Sequence, residues 1–145
     1  MEKLFVYSYL WQLDLDDGKK YNDYLDILFL NETSNDLLLE LEILTDSESA
    51  FMRIKRYFEY ETNKFDTIVF GKLLFRELSD VYYSETTNID LFATKCYELF
   101  NILPSSIDQY EQPFNALSYI DDMVQFNDIS EVRKEIEKMI TFYER

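Results

Sequence analysis

The chain has 145 residues, 47% of them hydrophobic and 17% aromatic, and its 29 acidic and 14 basic side chains give a net charge of −15. That apolar content excludes a disordered chain, and the length suits one domain with a core of its own. Two glycines, two prolines and no histidine argue against a turn-rich all-β protein and remove His-based catalytic triads and His-ligated zinc.

The expectation is an all-α, single-domain bundle of about six or seven helices over residues 1–145, with a small β-hairpin in residues 3–44 as the alternative for that stretch. Residues 3–15 mix clustered and alternating apolar groups and read as helix or strand. Asp16-Asp17-Gly18 is the clearest turn signal. Residues 21–30 and 36–44 are apolar runs around Asn31-Glu32-Thr33-Ser34-Asn35, either two helices or a hairpin. The Leu and Glu of 37–42 favour helix, with Asn35 or Ser34 as N-cap.

From Thr45 onward the helical period is clear. Thr45 or Asp46 caps a helix over about 47–61 with Phe51, Ile54, Tyr57 and Phe58 on one face. Residues 65–83 put Phe65, Ile68, Val69, Leu73, Leu78, Val81 and Tyr82 on a wide apolar face. Thr87 or Asn88 opens a helix over about 88–102, carrying Ile89, Phe92, Cys96, Leu99, Phe100 and Leu103, and Pro104 stops it. Residues 105–127 are the least regular, with Pro113 and a short helix near 113–120. Asp128 or Ser130 opens a last helix over 129–144, with Ile129, Val132, Ile136, Met139, Ile140 and Tyr143 on one face. Leu73, Phe92, Leu99 and Ile136 are expected to be buried on facing helices.

The lone Cys96 permits no intrachain disulfide and reads as a small buried hydrophobe in a reducing compartment. The apolar run Leu4–Trp11 is short, lacks a cationic start and lacks a cleavage site, so a cytoplasmic protein is expected. Asp14-x-Asp16-Asp17-Gly18 superficially resembles a calcium loop. Its glycine falls at the fifth position instead of the sixth and Leu25 stands at the twelfth, so a solvated turn is expected and no metal. Without a Gly-rich phosphate loop, and with Asp121-Asp122 adjacent rather than one helical turn apart, neither a cofactor nor a catalytic constellation is expected. A binding protein follows, with a two-carboxylate hydrolase as the weakest alternative.

The charge is segregated. Residues 13–48 hold 11 acids against Lys19 and Lys20, residues 49–95 hold seven of each sign, and residues 96–132 hold seven acids and no base. Two acidic blocks therefore flank a neutral middle. Such a surface repels nucleic acid and anionic membranes and steers a basic protein partner. The densest basic group, Arg53, Lys55 and Arg56, has Glu59 and Glu61 one turn on and reads as ordinary helical pairing. The residues expected to bind the partner are Asp14, Asp16, Asp17, Asp23 and Asp26 in the first block. In the second they are Asp108, Glu111, Asp121, Asp122 and Asp128, with Tyr110 and Tyr119 as aromatic anchors. Tyr7, Tyr9, Tyr21 and Tyr24 also adjoin the first block, and tyrosine is enriched at interface cores.

Phe70-Gly71-Lys72-Leu73-Leu74-Phe75, then Tyr97-Glu98-Leu99-Phe100-Asn101-Ile102-Leu103-Pro104, then Tyr119-Ile120-Asp121-Asp122 resembles small acidic helical proteins found beside bacterial polymorphic toxins, the presumed immunity proteins of those systems. The likeness covers about half the chain. It implies a bacterial inhibitor that binds a cognate toxin domain, often a basic nuclease, and blocks it. The alternative reading of the same acidity is a phage-encoded DNA mimic that occupies the nucleic-acid channel of a defence enzyme.

Overall fold

The structure, a computed structural model, describes residues 1–84 and 88–144. The chain divides into two compact units, Met1–Asp66 and Thr67–Arg145. All regular structure among the described residues is helical: eight α-helices and two short 3₁₀ turns. The hairpin alternative for residues 3–44 is thereby overturned, and the helix count exceeds the expected six or seven because both apolar runs of that stretch form separate helices.

The first unit contains α1 (Glu2–Gln12), α2 (Lys19–Asn31), α3 (Asp36–Ile43) and α4 (Ser47–Tyr60), followed by a 3₁₀ turn at Thr62–Lys64. Helix α1 is its centre, packed on α4 and on α2, while α3 packs on α2. Leu4, Phe5, Val6, Tyr9 and Leu10 are all buried, so α1 is apolar nearly all round. A helix with no polar face shows no amphipathic period, which is why its sequence fits a strand equally well. Its buried Ser8 hydroxyl donates to the Phe5 carbonyl at 2.6 Å, so that polar group is satisfied within the helix.

Phe5 nucleates an aromatic cluster, with ring centroids 4.9 Å from Tyr9, 6.0 Å from Phe51, 5.2 Å from Phe58 and 6.1 Å from Phe65. Asn35 caps α3 by accepting from the Leu38 N–H, and Asp46 caps α4 by accepting from the Ser49 N–H. The turn before α2 needs its glycine. Gly18 has φ +85°, and a Cβ there would lie 2.6 Å from the Trp11 indole nitrogen.

The second unit contains α5 (Thr67–Tyr82), α6 (Ile89–Asn101), α7 (Phe114–Phe126) and α8 (Ile129–Ile140), with a closing 3₁₀ turn at Phe142–Glu144. Helix α6 packs on α7, α7 on α8, and α8 on α5. Phe92, Leu99 and Ile136 are buried as expected. Leu73 is only half-buried, because α5 turns Phe70, Gly71, Leu74, Phe75 and Leu78 inward instead. Ile68 and Val69, also expected on the inner face, are exposed. The run from Ile68 to Phe75 is almost wholly apolar, and nothing local distinguishes one 100° sector from the next.

Asn88 caps α6, accepting from the Asp90 and Leu91 N–H groups; the competing cap, Thr87, lies outside the described residues. Helix α7 is longer than the short segment expected near 113–120. Pro113 stands at its N-cap, and it runs through Asp121 and Asp122 to Phe126. Asp128 takes the N-cap position of α8, its carboxylate accepting from the Ser130 hydroxyl at 3.1 Å. That helix stops at Ile140, short of the expected 144, and Tyr143 lies half-buried in the turn beyond it.

Candidate partner-binding surfaces

The two acidic blocks fall one in each unit. From the sequence, residues 1–66 carry 15 acids and seven bases and residues 67–145 carry 14 and seven, nets of −8 and −7.

In the first unit much of the expected acidity serves local structure. The Asp16 carboxylate accepts from the Gly18 N–H at 2.8 Å and Asp17 from the Lys19 N–H at 3.0 Å, which builds the turn into α2. Asp23 pairs with Lys19 one turn earlier, and Glu40 accepts from Arg53 on α4. The Arg53 guanidinium holds Glu40 below the usual carboxylate range. Asp14 is exposed at the end of α1 in a left-handed conformation, φ 56°. Asp26 on α2 instead meets another acid. Burial first, and then Asp26 itself, raise the Glu42 carboxyl on α3 above its usual range. Tyr9 and Tyr21 are buried in the core and present no surface, while Tyr7 and Tyr24 meet edge-on beneath the Lys3 ammonium. Among the described residues the buried Tyr21 hydroxyl has no hydrogen-bond partner, and Glu42 adds to the burial that pushes its pKa up.

In the second unit the stretch between α6 and α7 opens a cleft of about 300 Å³. Ile107, Phe114 and Phe142 supply apolar walls, and Asp108, Glu111 and Gln112 supply polar groups. Among the described residues no basic side chain lines it. The Asp108 carboxylate is held in place by accepting from the Tyr110 N–H at 2.9 Å, and Tyr110 beside it is 91% exposed. A cleft whose lining mixes apolar groups with two carboxylates suits a Lys or Arg side chain, which has an apolar stem and a cationic head.

Of the other expected residues of this block, Tyr119 and Asp121 are partly taken up by other contacts, and Asp122 and Asp128 are exposed at the surface. Tyr119 is half-buried, donating to Glu135 at 3.2 Å and accepting from Gln112 at 3.3 Å. Burial is the main cause of its raised pKa. It belongs to a smaller recess of about 200 Å³ with Lys138 and Met139, next to the cleft through the shared Gln112 and Phe142. Asp121 is half-buried against α6, where it accepts from the Thr94 hydroxyl at 3.3 Å, while Asp122 is exposed. The adjacent pair does point apart, as helix geometry requires. Asp128 is exposed at its cap.

Several residues that shape these surfaces escaped the sequence reading. Ile27, Leu30, Leu39 and Ile43 are exposed aliphatics among the acids of α2 and α3. They carried a signal: on a helical wheel Ile27 and Leu30 fall away from the buried Tyr21 and Leu25. Cys96 is buried and its thiol pKa pushed up, chiefly by burial, so a reactive thiolate is disfavoured there. Of the basic group, Arg53 pairs across to α3 and Lys55 lies 3.9 Å from Glu59. Among the described residues no helix is long and apolar enough to cross a membrane, and no group of three His, Cys, Asp or Glu side chains is placed to hold a metal ion. Compared with family models, curated proteins and solved structures, the chain matches none.

Proposed function

We propose that this protein is a non-enzymatic, immunity-type inhibitor that binds a basic toxin domain and neutralises it. The observation that carries the reading is the cleft of the second unit, whose charged lining residues are Asp108 and Glu111 and which sits beside the exposed Tyr110. Large rigid aromatics at an interface contribute contact area at low entropic cost, and carboxylates in a lining that holds no base leave room for a cation from outside. The net charge of −15 adds long-range steering, which suits an inhibitor that must reach its target quickly. The likeness to presumed immunity proteins supplies the class of target.

Co-expression with the toxin domain encoded beside the gene tests this. Rescue of growth is expected, with a complex whose association slows steeply as salt rises. Failure to rescue, or a gene neighbourhood without a toxin, would overturn the reading. In the cleft, Asp108→Asn with Glu111→Gln should weaken the complex. Glu59→Gln with Glu61→Gln makes the same change of net charge in the neutral middle and should not.

A further inference from the structure

The α2–α3 pair carries a different surface. Asp23, Asp26, Ile27 and Leu30 recur along α2 at intervals of three, one and three, and Leu39, Glu42 and Ile43 along α3 at three and one; each set is one exposed helical stripe. The four aliphatics are 54%, 75%, 40% and 78% exposed in chain order, an unusual amount of water-facing Ile and Leu on two adjoining helices. Helices α2 and α3 pack against one another, and Asp26 of the one stripe interacts with Glu42 of the other.

Charge narrows what covers this face. Residues 21–52 contain eight acids and no Lys or Arg. Asp23 and Glu40 are neutralised by Lys19 and Arg53. Among the described residues, neither Asp26 nor Glu42 forms an ion pair with a base. A second copy of the chain docking here would bring carboxylates against carboxylates, and nucleic acid or an anionic membrane would be repelled. A cation arriving between Asp26 and Glu42 relieves their mutual repulsion, and aliphatic groups on the same partner remove the flanking Ile and Leu from water.

We infer that the outer face of α2–α3 docks an amphipathic, cationic protein segment whose aliphatic side chains cover Ile27, Leu30, Leu39 and Ile43 and whose Lys or Arg sits between Asp26 and Glu42. The inference rests on the reading of the chain as a binder of basic proteins and names one surface and the chemistry of what it takes.

The test is methyl NMR on the full-length protein, titrated with a synthetic helical peptide that has Leu at three–four spacing and flanking Lys and Arg. The expected result is saturable shifts at the methyls of Ile27, Leu30, Leu39 and Ile43, and an affinity about tenfold weaker for Asp26→Asn with Glu42→Gln. Leu30→Ser with Ile43→Ser should abolish the shifts; both side chains are exposed, so folding is retained, and thermal melts confirm it. A peptide with Gln for every Lys and Arg should bind at least about tenfold more weakly. Equal affinity of that neutral peptide, or shifts confined to Ile68 and Ile107 at the second unit's cleft, would sink the inference. Growth rescue in the toxin co-expression assay that persists undiminished in the Leu30→Ser, Ile43→Ser variant would sink it too while leaving the inhibitor reading standing. Loss of rescue in the unsubstituted protein would remove the reading itself.

Discussion

The two units carry nearly the same net charge, −8 and −7, but place it differently. In the first, acids are strung along α2 and α3, many are tied into turns, caps and ion pairs, and the remainder alternate with exposed Ile and Leu. In the second, two acids, Asp108 and Glu111, line a cleft with an exposed tyrosine beside it. The difference teaches that net charge measures steering, whereas what a surface can hold depends on the apolar groups beside each carboxylate and on whether a base already occupies it.

The largest expected effects concern the cores beneath these surfaces. Phe5 packs among the rings of Tyr9, Phe51, Phe58 and Phe65, so Phe5→Ala should cost about 3–5 kcal/mol, and Ile136→Ala in the second unit about 2–5 kcal/mol. Hydrogen exchange read unit by unit sharpens the comparison: each substitution should lower protection most within its own unit. Leu73→Ala, at a half-buried site, should cost less than Leu74→Ala in urea unfolding. Equal costs would show that the inner face of α5 is misplaced.

Next come the two glycines, one per unit. Gly18→Ala forces a left-handed φ on a residue with a side chain and drives its Cβ into the Trp11 indole, so a loss of about 1–3 kcal/mol is expected. At Gly71 the backbone is unstrained, but a Cβ would lie 2.5 Å from the Tyr143 hydroxyl oxygen and 2.8 Å from its ring carbons. Because Tyr143 lies in the closing turn and can swing aside, Gly71→Ala should cost less than Gly18→Ala. The reverse order in thermal melts would mean that the closing turn is the more rigid element.

Smaller effects concern the acids. Asp122→Lys and Asp121→Lys change net charge equally, but Asp122 is exposed and Asp121 is tied to Thr94. Once a basic partner is in hand, Asp122→Lys should slow association without lowering the melting temperature, whereas Asp121→Lys should lower it. Stopped-flow association rates beside melts separate the two. Identical behaviour would show that the α6–α7 hydrogen bond contributes nothing.

The smallest effect is at Glu42. Its folded pKa is raised, so the folded state holds the proton more tightly than the unfolded state. The associated stability is present below the ordinary glutamate range and is lost as pH rises through the raised value. Glu42→Gln should therefore match the parent protein in acid and exceed it near neutrality, by less than ~1 kcal/mol because water screens an exposed pair. Urea midpoints across that pH window measure it, and a variant less stable than the parent at neutral pH would refute the close approach of Asp26 and Glu42.

What the sequence determined by itself is what depends on near neighbours. Helix starts at Asn35, Asp46 and Asn88 are legible because a cap acts on N–H groups two or three residues away. The faces of α4, α6 and α8 are legible because polar and apolar residues alternate there with the helical period, except at the first turn of α8, where Ile129, expected inside, is exposed. The segregation of acids is legible because it is a matter of counting. Tertiary structure alone decided the rest. It chose helix for α1, whose all-apolar circumference carries no period. It turned Leu74 inward instead of Leu73, drew Asp121 and Tyr119 into contacts with α6 and α8, and set Asp26 against Glu42. Each of these outcomes is fixed by a side chain 16 or more residues away, or by burial against another helix, and pairing at that range depends on how whole helices pack.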